Sequence, residues 1–229
     1  MTRKLSLLAF TLAVLIAAAP RPAAALPLVL DYTGFSWSQV KNGAPQTFAA
    51  VGVLDGFSMP VNNPAEVYTF SLGGLKLAHV VQYSPTIKEY DFTGGTFDIY
   101  RSTGPATRGY NYGVNPLIFG TPPSFVDGLL WLGGAISNFK IVLNSALQLG
   151  NLTADGAFSS GEFAPALQTN NWFSFSGMTA RSGNGIPTGY TYRLDGETTA
   201  SVRPVPEPTS VALLCLGLAG LMLSFRRRS

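Results

Sequence analysis

Hydrophobic and polar residues alternate with a period of two along much of the chain between residues 26 and 202. In residues 138–149, Phe139, Ile141 and Leu143, followed by Leu147 and Leu149, fall on one face, and polar residues fall on the other. This alternation is typical of a half-buried strand. Similar runs, rich in aromatic and β-branched residues, predict strands at residues 67–72, 75–83, 96–101, 171–179 and 189–194. About ten to twelve short strands predict an all-β antiparallel sandwich or jelly roll.

Glycine-containing pairs separate these runs and predict turns. Asp-Gly pairs occur at residues 55–56, 127–128, 155–156 and 195–196, and Gly-Gly pairs occur at residues 73–74, 94–95 and 133–134. Because Gly73-Gly74 lies between two strand-like runs, residues 66–83 are predicted to form a hairpin. Glycine and proline also predict long loops at residues 102–124 and 181–188, whereas residues 125–132 fit either a strand or a short helix.

The first 25 residues have the organisation of a signal peptide. Arg3 and Lys4 precede an apolar stretch at residues 5–19, and Ala23 to Ala25 supply small residues at a cleavage site. Cleavage there would leave Leu26 as the first residue of the mature chain. An uncleaved N-terminal anchor is the alternative.

The last residues combine a proline-rich stalk at 203–210, an uncharged apolar run at 211–225 and an arginine cluster at 226–229. As a helix the apolar run would span roughly 23 Å, short of the ~30 Å bilayer core, and snorkelling arginines can extend it. A buried core helix is the alternative, but it would not require the three consecutive charges of Arg226, Arg227 and Arg228. Retention of positive charge in the cytoplasm predicts that the main domain lies outside the inner membrane.

The order of Pro206, Glu207 and Pro208, a short apolar span and terminal arginines resembles the PEP-CTERM sorting signal of Gram-negative bacteria. The resemblance implies that an exosortase recognises this tail and processes it near the Pro-Glu-Pro motif. It also implies export by the Sec-type machinery, transient anchoring in the inner membrane and association with exopolysaccharide or biofilm at the cell surface. The resemblance covers only the tail.

Composition narrows the function of the exported domain, residues 26–202. The formal charge of +3 comes from the terminal segments, because residues 26–205 contain nine basic and eleven acidic side chains. No basic patch therefore indicates nucleic-acid binding. The single cysteine lies in the apolar tail, so the domain has no disulfide framework. Its length is sufficient to bury a core without one.

Few residues suggest catalysis. His79 is the only histidine, and alternation places it on the same face as core residues. A zinc site would need more histidine or cysteine ligands than the domain contains, so no metal or cofactor is predicted. Glu89 and Asp91 would share one strand face, with Asp98 further along. These carboxylates could serve a glycosidase or bind calcium, but solvated surface charges are the preferred interpretation.

Aromatic residues offer the remaining candidate contacts. Most are expected to fill the core. Tyr110 and Tyr112 are the candidate carbohydrate contacts, because they lie in a glycine-rich loop. The leading hypothesis is a non-enzymatic matrix, biofilm or adhesion protein associated with exopolysaccharide. The alternative is a surface glycosidase that uses the acidic residues.

Overall fold

The computed structural model describes residues 27–57, 66–103, 111–167, 171–181 and 185–201. Residues Leu26–Arg203 form one compact unit. Eleven strands are described within it: β1 (Pro27–Trp37), β2 (Val40–Lys41), β3 (Ala44–Pro45), β4 (Thr47–Phe57), β5 (Glu66–Gln82), β6 (Ile87–Thr93), β7 (Thr96–Thr103), β8 (Leu129–Asn144), β9 (Leu149–Ser160), β10 (Trp172–Ala180) and β11 (Tyr192–Ser201). A short helix, α1 (Pro116–Phe119), and two 3₁₀ turns, Pro123–Phe125 and Ala164–Ala166, complete these elements.

The long strands form one antiparallel sheet that closes on itself. Consecutive long strands pair with each other except β6 and β7, which both pair with β5 and with β8, and β1 pairs with both β4 and the last strand, β11. The sheet is thus an eight-position barrel, with β6 and β7 together occupying one position between β5 and β8. The predicted all-β antiparallel class is confirmed. The sandwich or jelly-roll arrangement is not confirmed, because the strands close into a single barrel.

A glycine-rich kink explains why the predicted hairpin at residues 66–83 is wrong. β5 continues through Gly73-Gly74 as one strand, and β6 and β7 run beside it on either side of Gly94-Gly95. Gly74, Gly94 and Gly95 have φ values of 76°, 73° and 93°, which favour glycine. The two pairs therefore bend adjacent strands together, and the chain reverses instead at residues 83–86.

Inward-facing side chains fill the barrel with aromatic rings. Phe97 is fully buried, and its ring centre lies 5.2–6.1 Å from the ring centres of Phe70, Phe158, Phe173 and Phe175. These distances are typical of favourable aromatic pairs. The rings join strands from several positions of the barrel into one core. Since this core has its own closed sheet, Leu26–Arg203 has the organisation of an independently folding domain.

Three of the four Asp-Gly pairs lie inside strands rather than in turns, so that part of the turn prediction is wrong. Residues 55–56, 155–156 and 195–196 belong to β4, β9 and β11, whereas residues 127–128 do lie in a connection. Gly156 and Gly196 make room for large inward-facing rings, whereas Gly56 lies against the Asp31 side chain. A Cβ atom at Gly196 would lie 2.5 Å from the hydroxyl oxygen of Tyr32, which donates a hydrogen bond to the Ser176 carbonyl at 2.9 Å.

The strand predicted at residues 138–149 is correct only as far as Asn144. Phe139 and Ile141 are buried, but residues 145–148 form a turn and Leu147 is 63% exposed. The Asn144 side chain accepts hydrogen bonds from the backbone amides of Ala146 and Leu147, which ends the strand. Residues 125–132, which fitted either structure, contain the end of a 3₁₀ turn and the start of β8.

Candidate functional site

The two adjacent acidic candidates, Glu89 and Asp91, lie on the outer face of β6 and share one cation. The Lys140 ammonium group lies 2.8 Å from Glu89 Oε1 and 3.7 Å from Asp91 Oδ1. β8 places Lys140 directly opposite Asp91. Tyr83 donates a hydrogen bond of 3.0 Å to the other Glu89 oxygen. The prediction that the two carboxylates share a face is correct, and their partners come from the neighbouring strand β8 and from the bend that connects β5 with β6.

This environment favours the ionised form of Glu89. The hydrogen bond from Lys140 holds the pKa of Glu89 below its ordinary value of 4.5 despite some desolvation. The same contact raises the pKa of Lys140. The general acid of a glycosidase needs the opposite shift, to a raised pKa. The cluster thus has the electrostatics of a surface ion-pair network.

Asp98 lies away from this pair. Asp91 lies opposite Lys140 and Asp98 lies opposite Gly133, and these partners are seven residues or about 23 Å apart along β8. The Asp98 carboxylate accepts a hydrogen bond from Thr96 at 2.8 Å, and partial burial raises its pKa. The carboxyl groups of a glycosidase lie within about 10 Å of each other. Asp98 therefore cannot be the partner of Glu89 or Asp91 in this geometry.

His79 is exposed, so its predicted place in the core is wrong. The strand register shifts between Leu77 and His79, where β5 has one more residue than β6. A one-residue shift turns the following side chains to the opposite face. The imidazole is 67% exposed, and its Nδ1 atom lies 3.6 Å from Asp91 Oδ2. His79 thus joins the outer acidic cluster.

Tyr112 packs in a second hydrophobic cluster outside the barrel. Its ring centre lies 4.7 Å from that of Phe125, 4.8 Å from that of Phe35 and 5.9 Å from that of Tyr190. These contacts fasten the connection between β7 and β8 onto the outer face of β1. Tyr112 is half-buried, and its contact with carbohydrate stays a prediction. Tyr110 lies outside the described residues.

The tryptophans separate into two buried residues and one exposed residue. Trp131 is 3% exposed and Trp37 is 8% exposed, and both pack in hydrophobic clusters as expected for most aromatic residues. Trp172, in contrast, is 57% exposed. Trp172 is the first residue of β10. The sequence pattern does not single out Trp172, because alternation shows which residues share a face but not which face is exposed.

Polar side chains extend from Trp172 across four neighbouring strands. Asn138 on β8 pairs with Asp155 on β9, Asp155 pairs with Ser174 on β10, and Ser174 pairs with Thr199 on β11. Strands 4.7–4.9 Å apart give this row a length of roughly 14 Å. Together with Trp172 the row lines an open groove of about 500 Å³. We call Trp172 and these four polar residues the Trp172 surface.

The Trp172 surface combines a flat apolar ring with hydroxyl, amide and carboxylate groups. An indole ring can stack on the C–H face of a pyranose, while the polar groups exchange hydrogen bonds with sugar hydroxyls. Both kinds of contact are available on the outside of the barrel without any rearrangement of the strands. The surface is thus chemically suited to an extended, uncharged or weakly charged carbohydrate.

The predicted targeting residues lie outside the described part of the chain. They include the cleavage residues Ala23, Ala25 and Leu26, the motif residues Pro206, Glu207 and Pro208, and the arginines Arg226, Arg227 and Arg228. The predicted apolar span at 211–225 also lies there. Among the residues that the structure describes, no helix has the length and apolar character needed to cross a bilayer.

Comparison with known families identifies the tail. Residues 204–228 match the family model of the PEP-CTERM protein-sorting motif. No curated protein and no solved structure matches the chain. The motif implies a secreted protein that is anchored in the membrane at its C-terminus before processing, with an exosortase as its processing partner. The chain is therefore an exported protein with a PEP-CTERM sorting motif at its C-terminus.

Proposed function

We propose that the mature protein is a non-enzymatic component of the extracellular matrix or biofilm, and that its barrel binds exopolysaccharide through the Trp172 surface. The observation that carries this proposal is the exposed indole of Trp172 beside a row of polar side chains. The sorting motif supports it independently, because an exosortase substrate is delivered to the cell surface. Carbohydrate is the abundant polymer that such a surface would meet there.

The expected contribution of Trp172 follows from its exposure. A tryptophan side chain offers about 200–250 Å², so an exposed fraction of 57% leaves more than 100 Å² accessible. A sugar that covers half of that area would contribute about 1.5 kcal/mol at 25 cal/mol per Å². Loss of this contact would raise the Kd roughly tenfold.

The test is binding of the Leu26–Arg203 domain to exopolysaccharide purified from the producing cells, measured by affinity electrophoresis. Trp172→Ala should reduce the retardation about tenfold, and Trp172→Phe should restore part of it. Met178→Ala is the matched control, because Met178 is also 57% exposed and lies on the same strand, six residues away. Absence of retardation in the unchanged domain, or equal losses in Trp172→Ala and Met178→Ala, would refute the proposal.

The same domain should release no reducing ends from the polysaccharide. The lowered pKa of Glu89 and its contact with Lys140 support this non-enzymatic assignment. Release of reducing sugar that Glu89→Gln abolishes would instead support the glycosidase alternative.

A further inference from the structure

A cavity of about 680 Å³ lies at the end of the barrel where β1 ends and β11 begins. The side chains at its base are apolar and buried: Phe48 and Phe92 are 2% exposed and Ile141 is 3% exposed. Its size is within the range of pockets that enclose small organic ligands, and the open end of a barrel is a frequent position for them. The base can therefore accommodate the apolar part of a small molecule.

One edge of this cavity is polar. Thr179 lines it from β10 and is 1% exposed, and its hydroxyl oxygen has no hydrogen-bond partner among the described residues. An unsatisfied buried hydroxyl costs about 1–3 kcal/mol, so a ligand that pairs with it would recover free energy. The Thr179 hydroxyl is one of several buried polar atoms without a partner in the described part of the chain, and here it adds a hydrogen-bonding group to the wall of the cavity.

Arg181 supplies a cation at the same edge. Arg181 follows β10 and lines the cavity, and it forms no ion pair with any residue that the structure describes. Tyr192, from the neighbouring strand, lines the cavity as well; burial raises its pKa and the nearby Arg181 charge opposes that rise. Residues that carry hydroxyl groups and a guanidinium group thus line the space above an apolar base.

Apolar side chains border the entrance. Val40, on the short β2–β3 hairpin, is 64% exposed, and Leu117, on α1, is 50% exposed. The hairpin turns at Asn42-Gly43, whose positive φ values of 52° and 75° are those of a tight two-residue turn. The route into the cavity is therefore apolar on two sides and cationic at Arg181.

We propose that the barrel-end cavity binds a small amphipathic carboxylate, with its apolar body against Phe48, Phe92 and Ile141 and its carboxylate at Arg181 and Thr179. A guanidinium group and a hydroxyl match the acceptor oxygens of a carboxylate. Phe48, Phe92 and Ile141 offer apolar surface rather than hydrogen bonds, so the base of the cavity suits a hydrocarbon body, in contrast to the polar row of the Trp172 surface.

The cavity is separate from the proposed polysaccharide surface. Trp172 and Thr179 lie near opposite ends of β10, seven residues or about 23 Å apart. Substitutions at one end can therefore be tested without changing side chains at the other. The polysaccharide-binding proposal and the carboxylate-binding proposal are therefore tested by separate assays, and failure of one does not refute the other.

The probe is dodecanoate, with dodecanol as its uncharged counterpart, titrated calorimetrically into the Leu26–Arg203 domain at pH 8. Dodecanoate should bind at least tenfold more tightly than dodecanol, because only the carboxylate makes charge-assisted hydrogen bonds. Arg181→Gln should remove this preference by weakening dodecanoate about tenfold or more and leaving dodecanol unchanged. Arg193→Gln is the matched control, because Arg193 is exposed on β11 and does not line the cavity.

Two further variants test the contributions of the Thr179 hydroxyl and of the cavity volume separately. Thr179→Val conserves the shape of the side chain and should weaken dodecanoate alone, whereas Leu143→Phe narrows the cavity and should weaken both ligands. Circular dichroism confirms that each variant is folded. The proposal is overturned if the unchanged domain binds no dodecanoate, if dodecanol binds equally well, or if Arg181→Gln and Arg193→Gln have the same effect.

Discussion

Removal of the Phe97 ring should destabilise the barrel more than removal of any exposed aromatic ring. Phe97 is fully buried and its ring packs against four other phenylalanines. A buried Phe→Ala substitution costs about 3–5 kcal/mol, because it loses transfer free energy and leaves a cavity. The four ring contacts, at about 0.5–1.5 kcal/mol each, place Phe97→Ala towards the upper end of that range.

The expected loss is a large share of the stability of a domain, which is usually about 5–15 kcal/mol. For a domain of this size it corresponds to a decrease in Tm of about 10–15 °C. Urea unfolding followed by circular dichroism measures the free energy, and a thermal scan measures Tm. Phe97→Leu should retain most of the buried area and lose about 1–2 kcal/mol.

Phe119→Ala is the control, because Phe119 is 73% exposed on α1. Its effect should remain within about 0.5 kcal/mol. If Phe97→Ala unfolds at the same urea concentration as Phe119→Ala, with the same m-value, the interior of the barrel is not organised around Phe97.

Three other perturbations test separate parts of the chain. Lys140 holds the pKa of Glu89 below 4.5, so their contact stabilises the fold above that pH, and this contribution disappears as the pH falls through the lowered pKa. Lys140→Met should therefore make the free energy of unfolding less dependent on pH in urea titrations across about pH 3–6. Gly196→Ala should cost about 1–3 kcal/mol in the same unfolding assay, because the new Cβ atom would collide with the Ser176 carbonyl oxygen on the paired strand and would lie 2.5 Å from the Tyr32 hydroxyl. An unchanged midpoint would contradict this packing. Alanines at residues 206–208 should leave an unprocessed, membrane-retained chain on immunoblots of fractionated cells, and normal maturation would contradict exosortase handling.

Alternation along the chain was sufficient to predict the all-β class and several strands, because each strand of the barrel has one buried face. Phe139 and Ile141 on β8 show this pattern clearly. Closure of the sheet was not predictable in the same way. A barrel strand and a sandwich strand have the same period, and the pairing of β1 with β11 joins residues far apart in the sequence.

Most of the incorrect local predictions concern segments that contain glycine. A Gly-Gly or Asp-Gly pair suits a turn, but Gly73-Gly74 bends a continuous strand and Gly196 makes room for a distant tyrosine ring. Neither role can be recognised without the partner strand. His79 was misplaced for a related reason, since the extra residue in β5 becomes visible only against β6.

The sequence predicted the tail better than the binding surfaces. Pro206, Glu207 and Pro208 are recognised as a contiguous motif, and the family comparison matches the same region. The Trp172 surface and the barrel-end cavity instead combine residues from four or more strands. Only the order and register of those strands bring the residues together.

The pairing of β1 with β11 also determines when the barrel can be completed. Pro27 lies opposite Ser201, so the first described strand needs the last one as its neighbour. When a chain crosses a membrane from its N-terminus, β1 emerges long before β11. Until β11 emerges, the backbone hydrogen-bonding groups on one edge of β1 have no partner strand. An open strand edge can pair with a strand of another chain and so promote aggregation. Until β11 pairs with it, the free edge of β1 is therefore the part of this domain where a second chain could add a strand during export.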